Sequence, residues 1–253
     1  MANNKKYFFG DTEVSKEDKV KKVNEVFDSV AKRYDIMNDI LSFGAHRLWK
    51  AILVNSISNI ISSRREFRYL DLACGTGDIG YKLLDKKLKN INVLMMDINE
   101  KMLEQATKRK EYREHKKSID FIVSDAENIP LASNSIDCIA IAFGIRNVAS
   151  IENALFEINR VLKCGGKFLC LEFSNVEVPL LKKFYGFYSK NIIPQIGSYI
   201  VKDRRSYQYL VESIERFPKQ DELTDLFTKS GFINSKYINL SGGIACIHSG
   251  WKM

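Results

Sequence analysis

The sequence predicts an α/β fold: an open, mostly parallel sheet with helices on both faces, finished by an antiparallel pair. Three observations carry this reading. From Arg68 to Phe173, short apolar runs alternate with stretches of helical spacing, the rhythm of strand–helix–strand units. The first of these runs ends in a glycine-rich turn, Cys74-Gly75-Thr76-Gly77, that opens a helix. Near the C-terminus, Gly242-Gly243 separates two further strand-like runs, a hairpin signal.

Residues 1–17 read as a flexible polar tail, so a single folded domain is expected over 18–253. From Asp18 to Asn38, apolar residues including Val20, Val23, Phe27, Val30 and Tyr34 recur at three- and four-residue steps and predict a helix. A second helix is expected from His46 to Ser62, and 18–62 together form a helical cap ahead of the sheet. Arg68–Ala73 is the first strand and Thr76–Leu84 the helix after it. Asn92–Met96, Ser118–Val123 and Ile136–Phe143 are the next strands, the last apolar on both faces as a buried parallel strand should be. Helices are expected at Asn99–Lys110 and Ile151–Leu162, the latter stopped by Gly165 and Gly166. Lys167–Phe173 is the fifth strand. Residues 174–218 break the rhythm with many aromatics and are expected to form a lid or insertion. A helix at Gln220–Ser230 and strands at Ile233–Leu240 and Ile244–Ser249 complete the chain.

With 253 residues, 45% hydrophobic and 28% charged, the chain is long and apolar enough to bury a substantial core. The five cysteines include no C-x-x-C pair, which argues against a zinc site or a disulfide framework, and no metal is expected. No apolar run is long enough to span a bilayer, and the N-terminus lacks a signal-peptide core. The expected location is cytoplasmic. The net charge of +8 fits an acidic partner, a membrane surface or simply a solvated face. A nucleic-acid partner is not expected, because the longest basic run, Lys108–Lys117, is interrupted by Glu111 and Glu114.

The sharpest local feature is Asp71-Leu72-Ala73-Cys74-Gly75-Thr76-Gly77-Asp78. Glycines there allow a sharp turn and close approach of a ligand to the backbone. Gly75, Gly77 and Gly80 also satisfy the G-x-G-x-x-G dinucleotide spacing, a weak signal by itself. Asp97 follows Gly77 by 20 residues at the end of the second strand, where a carboxylate accepts hydrogen bonds from ribose hydroxyls. That geometry serves NAD and S-adenosylmethionine alike. Asp71, near the end of the first strand, and Asp125, after the third, tilt the balance: like charges repel a pyrophosphate and attract a sulfonium that also carries an ammonium group. Without a ligand, Asp125 reads as a turn or capping residue.

This ordered set, Asp71-x-Ala-Cys-Gly-Thr-Gly-Asp78, Asp97, Asp125-Ala126 and Leu162-Lys-Cys-Gly-Gly-Lys167, resembles the class I S-adenosylmethionine-dependent methyltransferases. The resemblance implies a Rossmann-like, seven-stranded sheet with its last strand antiparallel. Further motifs narrow it. Val26-Phe27-Asp28-Ser29-Val30-Ala31-Lys32-Arg33-Tyr34-Asp35, Phe143-Gly144-Ile145-Arg146-Asn147-Val148, Tyr209-Leu210-Val211-Glu212-Ser213-Ile214 and Gly242-Gly243-Ile244-Ala245 resemble the ubiquinone/menaquinone biosynthesis C-methyltransferase family. The likeness runs over roughly residues 20 to 253. It implies methylation of a ring carbon of a polyprenyl benzoquinol or demethylmenaquinol, with S-adenosylmethionine as donor and S-adenosylhomocysteine as product. Carried over by position, the cofactor contacts would be Thr76, Asp97, Asp125, Ala126 and Ala142. Ala142 stands where the family often has serine, which removes a side-chain hydrogen bond. Cys74 stands where many members have glycine.

A quinol ring carbon becomes nucleophilic when an adjacent hydroxyl loses its proton, so the site must stabilise a phenolate. Arg146 and Asn147, beyond the fourth strand, are the first candidates, the former as a fixed positive charge and the latter as a hydrogen-bond partner of a quinol oxygen. The other reading pairs Arg146 with a carboxylate and makes Asn147 a helix cap. Tyr34, from the helical cap, is a second candidate, and also fits the apolar face of its helix. His46 has weaker support as a base. Residues 178–188 mix apolar, aromatic and basic side chains, suited to a lid or to peripheral contact with the inner face of a membrane. Contact with a quinone-biosynthesis assembly and homodimer formation are left open by the sequence. Other readings are a methyltransferase of another small molecule, an NAD-dependent oxidoreductase, or a non-catalytic partner in such an assembly.

Overall fold

A computed structural model of the protein describes residues 6–30, 38, 39, 42–61, 66–179, 186, 188 and 204–253. In chain order the elements are β1 (Tyr7–Phe9), β2 (Thr12–Val14), α1 (Lys16–Val30), α2 (His46–Ser58), β3 (Phe67–Leu72), α3 (Asp78–Leu84), β4 (Ile91–Asp97), α4 (Glu100–Lys108), α5 (Lys110–His115), β5 (Ile119–Val123), β6 (Ile136–Ala142), α6 (Ile151–Val161), β7 (Leu162–Phe173), α7 (Arg204–Glu215), α8 (Gln220–Lys229), β8 (Phe232–Leu240) and β9 (Ala245–Lys252).

Seven strands form one sheet in the order β5-β4-β3-β6-β7-β9-β8. β3 to β7 pair in parallel, and β9 runs antiparallel to both its neighbours, so the last strand alone opposes the other six. The chain builds outward from β3 to β5 and then returns to lay β6 on the other side of β3. The order reverses at the β3–β6 seam, and ligands of open α/β sheets gather beyond the carboxyl ends of strands at such a point.

Alternate side chains of each central strand enter two different cores, as the two-residue period of a strand requires. Tyr69, Met95, Ala140 and Leu171 face one layer with α1, α2, α3 and α7, built on residues such as Val26, Trp49, Tyr81 and Leu210. Leu70, Met96, Ile139 and Cys170 face the other, with Leu155 and Ile158 of α6 and Leu223 and Phe227 of α8.

Three local expectations differ from what forms. Within the expected flexible tail, residues 7–14 make an antiparallel hairpin. Its anchor is Phe9, buried and stacked on Tyr209 with ring centroids 4.3 Å apart. Arg216 adds a hydrogen bond to Asp11 at 2.9 Å and lies over the Phe8 ring. Gly165 and Gly166 do not stop a helix: they lie inside β7, where the pairing with β6 shifts register. A Cβ on Gly166 would lie 2.8 Å from the Lys163 carbonyl oxygen, so the bulge needs a residue without one. The expected helix Asn99–Lys110 breaks at Arg109, whose backbone is extended while its guanidinium lies over the Tyr81 ring. Of the expected lid, residues 180–185, 187 and 189–203 lie outside the described residues, and with them most of 178–188; the segment after β7 up to residue 179, and α7 with its C-terminal turn, are described. No described helix is long and apolar enough to cross a membrane.

His248 on β9 is buried between Phe227 and Tyr237, with Nε2 2.9 Å from the Gln220 carbonyl oxygen. Burial lowers its pKa to about 4. The unfolded chain therefore takes up this proton at a higher pH than the folded one. Stability is full above about pH 6.5 and falls as pH drops toward 4, by up to about 3 kcal/mol from this group. Urea titrations of the wild type and His248→Asn should differ most at pH 7 and converge toward pH 4; a constant difference across that range would contradict the assignment.

Candidate functional site

The site begins where β3 meets α3. Ala73 leaves the strand at φ 50°, and Gly75 and Gly77 follow at 56° and 79°. Three left-handed positions in five residues turn the chain back sharply, and two of them are glycines for that reason. Gly77 has a second constraint, since a Cβ there would lie 2.8 Å from the Tyr81 ring and 2.9 Å from Met95 Sδ. Gly80, third in the dinucleotide spacing, is accounted for by packing: its Cβ would meet Met95 Cε at 2.5 Å.

Two buried carboxylates hold this turn. Asp71 Oδ2 accepts the Gly80 N–H at 2.9 Å. Asp97 Oδ2 accepts the Gly75 N–H at 2.7 Å, and its Oδ1 accepts the Asn99 N–H at 2.8 Å. Burial raises the pKa of both acids. That of Asp71 reaches about 7, with the Gly80 N–H opposing the shift and Asp78 and Asp97 adding to it. That of Asp97 is raised despite its backbone donors.

Beyond the turn lies a cleft of about 710 Å³ with its open mouth included. Gly75, Asp97 and Met102 form one wall, Asp125 and Ala126 the floor beyond β5, and Phe143, Gly144 and Asn147 the wall after β6. Phe143, at φ 58°, and Ala73 stand in the left-handed region at the ends of adjacent strands. Such positions cost roughly 1–3 kcal/mol each and cluster at functional sites. Here they bring two loops together: a Cβ on Gly144 would lie 2.7 Å from that of Ala73. The Phe143 ring is held by Phe173 and Trp49, at 4.8 and 6.4 Å between centroids.

Helix α1 roofs the cleft with Val20, Asn24 and Phe27. Polar contacts fasten it along its length. Lys16 pairs with Glu127 at 2.9 Å, Lys19 Nζ donates to the Val148 carbonyl at 2.8 Å, and Asp28 receives Asn99 Nδ2 at 2.8 Å and the Lys101 ammonium.

Of the residues expected at the site, Gly75, Asp97, Asp125, Ala126 and Asn147 come together around this cleft. Asp125 also makes the turn contact its type favours, Oδ1 accepting the Glu127 N–H at 2.9 Å. Asp71, Thr76, Gly77 and Ala142 are not among its lining residues. Asp71 lies beneath the turn and acts on it from below, and Ala142 is engaged in the sheet opposite Leu171. Tyr34 lies outside the described residues. His46 Nε2 sits 2.8 Å from Asp39 Oδ1 at the start of α2, away from the lining.

Arg146 is not among the residues that line this cleft. Its Nη1 donates to Glu172 Oε1 at 2.6 Å and to the Phe143 carbonyl at 2.7 Å, and both partners of the ion pair are almost completely buried. Burial raises the Glu172 pKa, and Arg146 is the main influence opposing it. The guanidinium thus clamps the strained turn at Phe143 and pairs with Glu172, while its Nε is buried without a partner among the described residues and the residue borders a neighbouring hollow with Lys19, Val148 and Tyr209. Asn147 does not cap the following helix; Ser150 does, accepting the Asn153 N–H. Sequence reasoning missed Glu172, Tyr209 and Asn24. Tyr209 Oη donates to Asn147 Oδ1 at 2.9 Å. Asn24 Oδ1 is buried without a partner among the described residues.

These features select the ligand. The described lining holds two carboxylates and an unpaired amide oxygen, but no lysine or arginine. A pyrophosphate would meet only like charge there, which disfavours the dinucleotide reading. A cationic nucleoside with ammonium and ribose donors fits the acceptors present, and S-adenosylmethionine is such a group.

Comparison with known proteins agrees. The ubiE/COQ5 methyltransferase family matches residues 13–252. The ubiquinone/menaquinone biosynthesis C-methyltransferase UbiE of Methylobacterium nodulans is 48% identical over 245 residues, covering 97% of this chain and 96% of that one. The protein of the same name from Rickettsia bellii is 47% identical over 248 residues, covering 97% and 98%. Among solved structures, a SAM-dependent methyltransferase of Thermotoga maritima, described as a possible histamine N-methyltransferase, shares the fold with a TM-score of 0.62 at 21% identity, over 91% of this chain and 100% of that one. With its glycine turn, acidic cleft and near full-length kinship, the chain belongs to the ubiE/COQ5 methyltransferase family.

Proposed function

We propose that this protein methylates a ring carbon of a polyprenylated benzoquinol or demethylmenaquinol, using S-adenosylmethionine, in ubiquinone or menaquinone biosynthesis. The observation that carries the reading is a carboxylate-lined cleft, with no lysine or arginine among its described lining residues, at the β3–β6 seam of a chain from this family. When bound, S-adenosylmethionine supplies an electrophilic methyl group on a sulfonium.

The chain's own residues then have distinct tasks. Asp97 offers its remaining lone pairs to ribose hydroxyls while keeping the Gly75 amide in place. Asp125 and Ala126 border the base. Asn147 presents its amide toward the quinol, whose hydroxyl has a phenol-like pKa of about 10 and must give its proton to water before the ring carbon takes the methyl group. Neutral S-adenosylhomocysteine is the leaving group, and the ring C–H proton then passes to water as the ring regains aromaticity. A donor to the quinol oxygen strengthens as negative charge develops, which lowers the barrier rather than merely holding the substrate. Arg146 serves by holding the Phe143 carbonyl and hence the turn that carries Asn147. The roof formed by α1 would shield the transferring methyl group from water and hold the reactants close.

Calorimetry with S-adenosylhomocysteine should detect binding to the wild type, and NAD should leave that binding unchanged. Asp97→Asn should weaken it by about 10- to 100-fold, the worth of hydrogen bonds to a charged acceptor. Equal affinity in the variant would remove Asp97 from the site.

Arg146→Ala leaves Glu172 buried without its counter-charge, which should cost about 3–5 kcal/mol in urea unfolding. Adding Glu172→Ala should recover part of that loss, whereas additive losses would contradict the buried pair.

A further inference from the structure

The two ends of the Asn147 amide stand in different situations. Its oxygen accepts the Tyr209 hydroxyl proton at 2.9 Å. Its nitrogen is buried and has no partner among the described residues, although Asn147 lines the cleft. A primary amide has one accepting and one donating end, so the group that holds the oxygen decides where the nitrogen points. Tyr209 is suited to hold the oxygen. Its hydroxyl is buried, burial pushes its pKa up, and it stays a donor. Arg146 and Glu172 are the charged groups that act on it, in opposite senses.

We propose that Tyr209 is a positioning residue, whose hydroxyl fixes the Asn147 amide with Nδ2 turned toward an oxygen of the ring substrate. The inference rests on the quinol reading of the cleft. The residues lie 62 positions apart, and the hydrogen bond joins α7 to the loop after β6. Tyr209 is itself held from behind. Phe9 of the N-terminal hairpin stacks on its ring at 4.3 Å with 11° between planes. The hairpin thus has a consequence at the site: it steadies the phenol that steadies the amide. From the other side, Arg146 and Glu172 fix the turn on which Asn147 stands. A buried donor without a partner is an unfavourable resting state, and a substrate oxygen that gains negative charge relieves it.

This role predicts an effect on turnover more than on binding. Without the hydroxyl, the amide is free to rotate and its donor is aligned only part of the time. The test is methyl transfer by the full-length protein to two soluble short-chain quinols, a benzoquinol and a naphthoquinol, measured with Tyr209→Phe, Asn147→Ala and the double variant. Tyr209→Phe should lower kcat by about tenfold, the scale of one hydrogen bond, with KM and S-adenosylhomocysteine affinity within about twofold of wild type. The midpoint of its kcat–pH rise should move to higher pH, because the bound quinolate is less stabilised. The double variant should be no slower than Asn147→Ala. An unchanged kcat in Tyr209→Phe, losses that multiply in the double variant, or a kcat loss matched by lost S-adenosylhomocysteine affinity would overturn the proposal. A wild type that binds S-adenosylhomocysteine but methylates neither quinol would overturn the substrate reading and this role with it. An active wild type with an unaffected Tyr209→Phe would overturn this role only.

Discussion

Two buried carboxylates, one gripping a backbone N–H of the glycine turn and the other a backbone N–H in the first turn of α3, are the interaction on which the site depends. Asp71 reaches Gly80 from β3, and Asp97 reaches Gly75 from β4. Each sits where burial penalises its charge, so neither would be stable as an anion without those donors or a cation nearby. The turn and the acids are therefore mutually dependent. Left-handed Gly75 and the first turn of α3 at Gly80 aim amides inward, and the amides make buried carboxylates tolerable. What remains is a pocket with a standing preference for positive charge.

The rest of the fold delivers and protects that pocket. The reversal of strand order opens the crevice, and the positive φ of Ala73 and Phe143 narrows it by bringing two loops into contact. Packing of Phe143 against Trp49 and Phe173, and the Arg146–Glu172 pair beneath it, hold that strained geometry. The roof is fastened by polar ties along α1, at Lys16, Lys19 and Asp28. Buried apolar contact gives the layers their cohesion, while these few charged contacts set their register over the cleft.

Much of this is visible in the order of residues. Strands buried on both faces read as apolar runs, and the turn is legible because Gly75 and Gly77 sit where only glycine accepts the backbone without penalty. Asp97 is legible from its distance past that turn. Side-chain direction is not. Position after β6 places Arg146 near the cleft, but whether it points in depends on Glu172, 26 residues away. The Tyr209–Asn147 bond spans 62 residues and leaves no local trace. The hairpin at Tyr7–Val14 has strands of three residues, too short to show a period, and is held by a ring on α7. Gly165 and Gly166 follow a helix as a stop signal would, yet the chain passes directly into β7, and the bulge there is what uses them.

The central claim, that buried carboxylates make this cleft select a cation, is open to a direct measurement. Asp71 holds a proton up to about pH 7 in the free protein. A sulfonium bound in the cleft beyond the turn would favour the ionised form, so binding should release protons near that pH. Calorimetry of S-adenosylmethionine binding at pH 7, in buffers of different ionisation enthalpy, should show proton release. The release should be smaller with the neutral-sulfur product S-adenosylhomocysteine and absent in Asp71→Asn. Binding without proton release, or equal release by both ligands and by the variant, would contradict the account.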